Sequence, residues 1–246
     1  MAKKTGLVAF FDILGYQNFI SANDPEIAAD KIAEFIKKLK AFQSETFLKL
    51  FGKETQPVLK TFVEKLVYLV ISDSILLTFE TDMRDMKSYQ MSQFFFLLYC
   101  VRLFKELFIY GLPLRGAIEY GEYVLVENQM FAGRPIVHAY QAATDLDLSA
   151  CKVSGSVGEL LETGKDNIHL NYNTPLKNGE EEPLVLLIPF GLEDDEKDEN
   201  TLGKIPDLKQ FVMESFCAHN KMINREVQKK ILNTEIFLRY CKTRWK

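Results

Sequence analysis

The stretch Leu7-Val8-Ala9-Phe10-Phe11-Asp12-Ile13-Leu14-Gly15-Tyr16 is an apolar run of strand length, broken by one carboxylate and followed by a glycine. Such a run reads as a strand buried on both faces. An aspartate inside it is costly unless it has a partner. The cost falls if the residue sits near the strand end and holds a cation. A second copy of the pattern lies at Leu66-Val67-Tyr68-Leu69-Val70-Ile71-Ser72-Asp73-Ser74-Ile75-Leu76-Leu77, with Asp73 between two serines as in a hairpin turn. Two such residues on two core strands are candidate neighbours in one sheet. Together Asp12 and Asp73 would form an oxygen-rich site for Mg²⁺ or Mn²⁺. The plainer reading makes each Asp a strand or turn cap. It suits one such residue better than two in near-identical apolar contexts.

The rest of the composition narrows the class. The chain has 246 residues, enough for one domain with an extension or two small ones. It is 47% hydrophobic with 19 Phe, so a large core is expected. A net charge of -4 speaks against a general nucleic-acid binder. Cys100, Cys151, Cys217 and Cys241 have no metal-ligand spacing and read as reduced thiols of a cytoplasmic protein. No signal peptide fits Met1 to Thr5, and no charge-free apolar run reaches about 18 residues, so neither secretion nor a membrane span is expected.

Along the chain, a first strand is expected over 6–14. Asn23-Asp24-Pro25-Glu26 starts a helix that runs to about 47. Residues 48–60, with Pro57, read as a connector. A hairpin over 63–80 follows, then a strongly apolar helix over 87–110 that Gly111 ends. Its apolar residues go nearly all round, which suits a core helix or, alternatively, a dimer interface. A long strand is expected over 114–126, a turn at 127–129, and a helix over 134–146 with Pro135 in its first turn. Residues 150–190 alternate short β-like runs with turns. The order is βαββαβ with later additions, an α/β (α+β) sheet with helices packed on one face. Three parts are expected: a core over 1–192, an acidic solvated loop over 193–203, and a helical extension over 204–246. In the extension Leu208, Val212, Phe216, Ile223, Val227 and Ile231 trace one face of a helical segment starting near Pro206.

Four stretches together resemble the class III nucleotidyl cyclase domain. Phe11-Asp12-Ile13-Leu14-Gly15-Tyr16 resembles its F-x-D-I-x-G-F opening, and Ser72-Asp73-Ser74 its G-D-[SC] hairpin. Leu114 to Glu122 resembles its R-x-G-I-H-x-G-E strand, and Gly133 to Gln141 its G-x-x-V-N-x-A-x-R helix. They occur in the family's order over residues 7 to about 145. The resemblance implies a ferredoxin-like core. It implies two Mg²⁺ or Mn²⁺ ions on Asp12, Asp73 and the carbonyl of Ile13, with Arg115 on the triphosphate. It also implies a homodimer with shared active sites.

In such an enzyme the ribose 3′-hydroxyl attacks the α-phosphate and pyrophosphate leaves. The demands are alignment and charge neutralisation. The catalytic candidates are therefore Asp12, Asp73 and Arg115. Phe11, Tyr68, Arg115 and Arg134 are candidates for substrate contact.

The departures from the family pattern carry information. The base-reading positions of purine cyclases fall on Leu69 and Met130, which cannot pair with a purine edge. Val137 and Gln141 fall on the family's Asn and Arg, with His138 one residue out of register. A kept metal site without purine readers suggests a smaller base or a lost activity. The F-D-I-L-G-Y opening and the G-x-P-I-V-x-A-Y helix resemble the bacterial pyrimidine cyclases of Pycsar anti-phage defence. That resemblance implies a free-standing cyclase using UTP, less readily CTP, whose cyclic UMP or cyclic CMP acts on a separate effector. The alternatives are a purine cyclase and a silent domain that binds nucleotide or partners. Neither nucleic acid nor membrane is expected as a partner.

Overall fold

The computed structural model describes residues 2–41, 56–126, 130–158, 168–181, 183–186, 205 and 207–244. The first apolar run forms β1 (Ala2–Ile13) and ends at Gly15, whose φ of 80° turns the chain into the short α1 (Tyr16–Ala22). Only a residue without Cβ takes that left-handed conformation cheaply. Then come α2 (Pro25–Ala41), α3 (Gln56–Lys65) and the hairpin of β2 (Val67–Ile71) and β3 (Ser74–Glu80). Next are α4 (Met86–Ile109), β4 (Leu114–Val126), β5 (Met130–Ala132) and α5 (Arg134–Asp145).

The sheet runs β2-β3-β1-β4, with every neighbouring pair antiparallel. With helices between β1 and β2 and between β3 and β4, this is the ferredoxin-like βαββαβ order expected from the sequence. Beyond β4 the sheet continues through β6 (Cys151–Val153), β10 (Leu184–Leu186) and β7 (His169–Asn171), with β6 parallel to β4. The short helix α6 (Gly155–Gly158) follows β6, and β8 (Thr174–Leu176) and β9 (Gly179–Glu181) form a separate hairpin. The fold is mixed α/β with one central sheet.

β1 is covered on both sides, as its composition demands. Leu7, Ala9, Phe11 and Ile13 enter the large core with α4 and the last helices. Val8 and Phe10 face the other way, against Ala139 and Ala143 of α5. The Phe10 and Tyr140 rings meet edge to face with their centroids 5.3 Å apart. Helix α4 is buried nearly all round, which accounts for its apolar sequence. Its Phe108 contacts Phe211 and Phe216, so the C-terminal helices take up surface that the sequence left open to a second chain.

Several boundaries differ from expectation. Residues 56–65 are helical rather than connector. Pro57 occupies the first turn of α3, where its missing N–H costs nothing. The hairpin therefore starts at Val67, not 63. The final helical segment is two helices, α7 (Leu208–Cys217) and α8 (Arg225–Arg244). They are separated at His219 and Asn220, which have φ of 60° and 61°. Leu208, Val212, Phe216, Ile231, Phe237 and Leu238 all join the core of the sheet. The turn at 127–129 and the acidic stretch 193–203 lie outside the described residues. Among the described residues no helix is long and apolar enough to cross a membrane.

Candidate active site

Three strands bring the sequence candidates to one rim. In the register of the sheet, Asp12 on β1 pairs with Ser74 on β3 and with Arg115 on β4. The two-residue turn Ser72-Asp73 is held against β1 by the Ile13 amide, which donates to the Asp73 carbonyl at 2.8 Å. Ser72 has φ of 55°, the left-handed geometry that tight hairpins use. Asp73 is thereby fixed beside Asp12. Gly116, next to Arg115, has a steric reason: a Cβ there would sit 2.3 Å from the Phe11 ring.

Asp12 and Arg115 form an ion pair, Nε to Oδ2 at 2.6 Å, with both side chains mostly buried. The guanidinium also donates from Nη1 to the carbonyls of Thr144 at 2.8 Å and Leu146 at 3.3 Å. Nη2 has no hydrogen-bond partner among the described residues. Burial raises the pKa of Asp12 above the ordinary carboxylate value, Arg115 opposes this, and the charge of Asp73 adds to it. Arg115 pairs with Asp12 alone, so a divalent ion would relieve the repulsion between the two carboxylates.

Asp12, Asp73 and Arg115 open onto a cleft of ≈ 490 Å³. One wall is the turn Leu14-Gly15-Tyr16 and α1. The opposite wall comes from the C-terminal segment: Phe216, Lys221, Met222, Asn224, Glu226, Val227 and Lys230. Lys177, in the β8–β9 turn, completes the lining and lies close enough to Asp12 to favour its charged form. Lys230 is held by Glu226 and by Asp147 at 3.6 Å, and Lys229 reaches Asp147 at 2.6 Å. Asn233 donates to the Asp147 carbonyl, and the Ser149 amide donates to Thr234. α8 is pinned through these contacts to the segment following α5.

Not all the sequence candidates meet here. Phe11 is fully buried and, by strand alternation, faces away from Asp12 into the α4 core. Tyr68 is half-buried against that same core. Neither contacts the cleft, because both sit one pleat out of phase with Asp12. Arg134 is exposed at the start of α5, whereas the end of α5 meets Arg115. The helix rise puts about 15 Å between those points. Leu69 packs with the α5-side cluster, and Val137, His138 and Gln141 are exposed on α5. Lys177, Lys221, Asn224 and Lys230 escaped the sequence reading. Asn178-Gly179 beside Lys177 is a turn signal, but no spacing marks the three C-terminal residues.

No family model matches the chain, and no curated protein matches it in sequence. Among solved structures it is similar to the guanylate cyclase domain of RhGC from Catenaria anguillulae in complex with GTP. That likeness has 12% identity and a TM-score of 0.48 over 76% of this chain and 98% of that one. It is similar to the adenylyl cyclase CyaB from P. aeruginosa, at 12% identity and TM-score 0.42 over 75% and 93%. It is also similar to an adenylate/guanylate cyclase/hydrolase from Silicibacter pomeroyi, at 14% identity and TM-score 0.43 over 75% and 95%.

Proposed function

We propose that the protein is a class III-type nucleotidyl cyclase converting UTP, and less readily CTP, to the 3′,5′-cyclic monophosphate and pyrophosphate. The observation that carries the reading is the rim itself: Asp12 and Asp73 side by side, with Arg115 between Asp12 and the end of α5, at the mouth of a cleft. In the reaction the bond from O3′ to the α-phosphorus forms as the bond to the bridging oxygen breaks. Pyrophosphate departs with the electron pair, and the hydroxyl proton passes to water.

The residues fit a Mg²⁺ or Mn²⁺ pair. Asp12 and Asp73 supply hard oxygen donors, and the resemblance adds the Ile13 carbonyl. Among the described residues no group of three His, Cys, Asp or Glu forms a closed metal cage. Phosphate oxygens would therefore complete the coordination, as is usual for Mg²⁺. Bound there, the metal supplies activation of the 3′-hydroxyl and neutralisation of the leaving charge. Among the described residues Arg115 has Nη2 without a partner, available to a phosphate oxygen, while Nη1 stays anchored on Thr144 and Leu146. The pyrimidine choice rests on the resemblance, which puts the purine-reading positions on the apolar Leu69 and Met130; Leu69 packs in the α5-side cluster rather than along the cleft. A buried purine would then lose roughly 1–3 kcal/mol for each unmade bond.

The exposed Val137 and Tyr140 of α5 suit a homodimer in which the second chain completes the site. The cyclic nucleotide would act on a separate effector in anti-phage defence. One observation favours a silent nucleotide-binding domain instead: Val137 brings no amide and Gln141 no guanidinium where the family has Asn and Arg. Incubation with each of the four nucleoside triphosphates and Mn²⁺, with mass separation of products, decides. Cyclic UMP or cyclic CMP as main product is expected. Faster cyclisation of ATP or GTP overturns the pyrimidine choice, and no turnover of any of the four favours the silent domain.

A further inference from the structure

We propose that Lys221, on the connection between α7 and α8, binds the terminal phosphates of the triphosphate, so that the C-terminal segment reads the polyphosphate end of the substrate. The inference rests on the reading of the cleft as a nucleoside triphosphate site.

Lys221 lines the same cleft as Asp12, Asp73 and Arg115, yet it is only 6% exposed. Its ammonium donates to the carbonyl of Gly111 at 2.6 Å and that of Ser215 at 3.3 Å. The third N–H has no partner among the described residues, and no carboxylate there pairs with it. The contrast with Lys230, which has both Glu226 and Asp147, is sharp. A buried ammonium neutralised only by carbonyl dipoles is costly. An anion arriving in the cleft recovers that cost. Burial also draws the Lys221 pKa down to about 8.

The position is held firmly. The stem lies against the turn that follows the metal-site strand: a Cβ on Gly15 would stand 3.3 Å from Lys221 Cδ. On either side the backbone is clasped to α1. Asn23 donates to the His219 carbonyl at 2.8 Å, and Asn220 donates to Asn23 at 3.0 Å. The Met222 amide donates to Asn18 at 2.7 Å, and Asn18 donates back at 3.3 Å. His219 and Asn220 hold left-handed backbone that non-glycine residues adopt at a cost. The clasp keeps them there and sets the stem of Lys221 against the Gly15 turn, three residues from Asp12, with its ammonium on Gly111 and Ser215.

The test compares wild type with Lys221→Met, which keeps the length of the side chain and removes the charge. Calorimetry in Mg²⁺ with inorganic tripolyphosphate should show binding weakened about tenfold or more in the variant. Cyclic UMP, which lacks the terminal phosphates, should bind both proteins within about threefold. KM for UTP should rise by about tenfold while kcat stays within about threefold. Equal tripolyphosphate affinity in the two proteins overturns the proposal. Cyclisation by wild type with an unchanged KM in the variant overturns it while leaving the cyclase reading intact. Wild type that turns over no triphosphate, yet binds tripolyphosphate through Lys221, supports it while the cyclase reading fails. If Lys221→Met does not fold, the ¹⁵N resonance of the Lys221 ammonium in wild type must move on addition of tripolyphosphate. An unmoved resonance overturns the proposal.

Discussion

The cleft has two walls of opposite character. One is the end of β1 with the turn into α1, the β2–β3 turn and the start of β4, where Asp12, Asp73 and Arg115 are set by strand register. The other is the α7–α8 segment, where Lys221 and Met222 are set by contacts across very long sequence separations and Lys230 by Glu226 and Asp147. Lys221 bonds to Gly111, and Met222 to Asn18, 204 positions away. The first wall carries the groups suited to bond making. The second fixes how far the cleft extends and which charges close it. Local pattern places chemistry, and tertiary packing places its limits.

Substitution on the first wall should have the largest effect. Asp12→Asn and Asp73→Asn should each lower cyclisation at least about a hundredfold, the scale of losing one preorganised electrostatic group. Their stability should diverge. Asp73→Asn leaves the Asp12–Arg115 pair intact, whereas Asp12→Asn leaves a mostly buried guanidinium short of its anion, at a cost of about 1–3 kcal/mol. Initial-rate assays and thermal melts read both effects. Wild-type turnover in Asp73→Asn would reduce Asp73 to a turn residue and leave the first wall with one carboxylate.

The same division explains what could be read from the sequence. A continuous apolar run of strand length made β1 visible, and a single carboxylate in each of two such runs marked Asp12 and Asp73. The order of elements followed from turn and helix-end signals such as Gly111 and Pro135. Face assignment did not follow. Phe11 and Tyr68 were near the carboxylates in sequence, but a pleat reverses side with every residue, and both point into the α4 core. Nor did the second wall. Lys221 sits in a stretch without periodicity, and only the fold reveals that its ammonium lies under Gly111 and Ser215. Helix α3 was missed because Pro57 reads as a breaker until it is seen at a helix start.

Whether the second wall belongs to the same folding unit as the first can be tested in its core. Phe237 of α8 is fully buried and packs on Tyr172 at 4.9 Å. Phe237→Ala should cost about 3–5 kcal/mol. Because α8 shares its cluster with β1 and α4, one cooperative transition should shift as a whole. Denaturant unfolding followed by circular dichroism measures this. A separate early transition that leaves the sheet signal in place would make the C-terminal helices an independent appendage.

A milder change addresses the clasp between the walls. Asn18→Ala removes both bonds to Met222, which are exposed and should contribute about 0.5–1.5 kcal/mol each. The melting temperature should fall by a few degrees. KM for UTP should rise a fewfold with kcat nearly unchanged, since Asn18 only positions the segment that carries Lys221. A kcat loss matching that of Asp12→Asn would instead place Asn18 among the groups that act on the substrate.

The last effect is a pH dependence, silent at neutral pH, where wild type and Lys221→Met should not yet diverge. The Lys221 pKa falls to about 8 in the folded protein because burial disfavours the ammonium, against an ordinary lysine value of 10.5. Below pH 8 both folded and unfolded chains carry the proton, and the native state bears the full desolvation cost. Between pH 8 and about 10 the unfolded chain keeps a proton that the native chain has released. Stability from this group therefore rises with pH, with a limiting slope of about 1.4 kcal/mol per pH unit. Cys217, whose pKa is raised by burial, works in the opposite direction once its unfolded thiol ionises. Subtracting Lys221→Met from wild type at each pH leaves mainly the lysine contribution, since the two unsatisfied carbonyls in the variant are pH-independent. The difference should be flat below pH 8 and should climb in favour of wild type by about 1–3 kcal/mol toward pH 10. A flat difference across the whole range would mean that Lys221 keeps its proton throughout. The second wall would then hold a permanent positive charge rather than one that an incoming anion helps to establish.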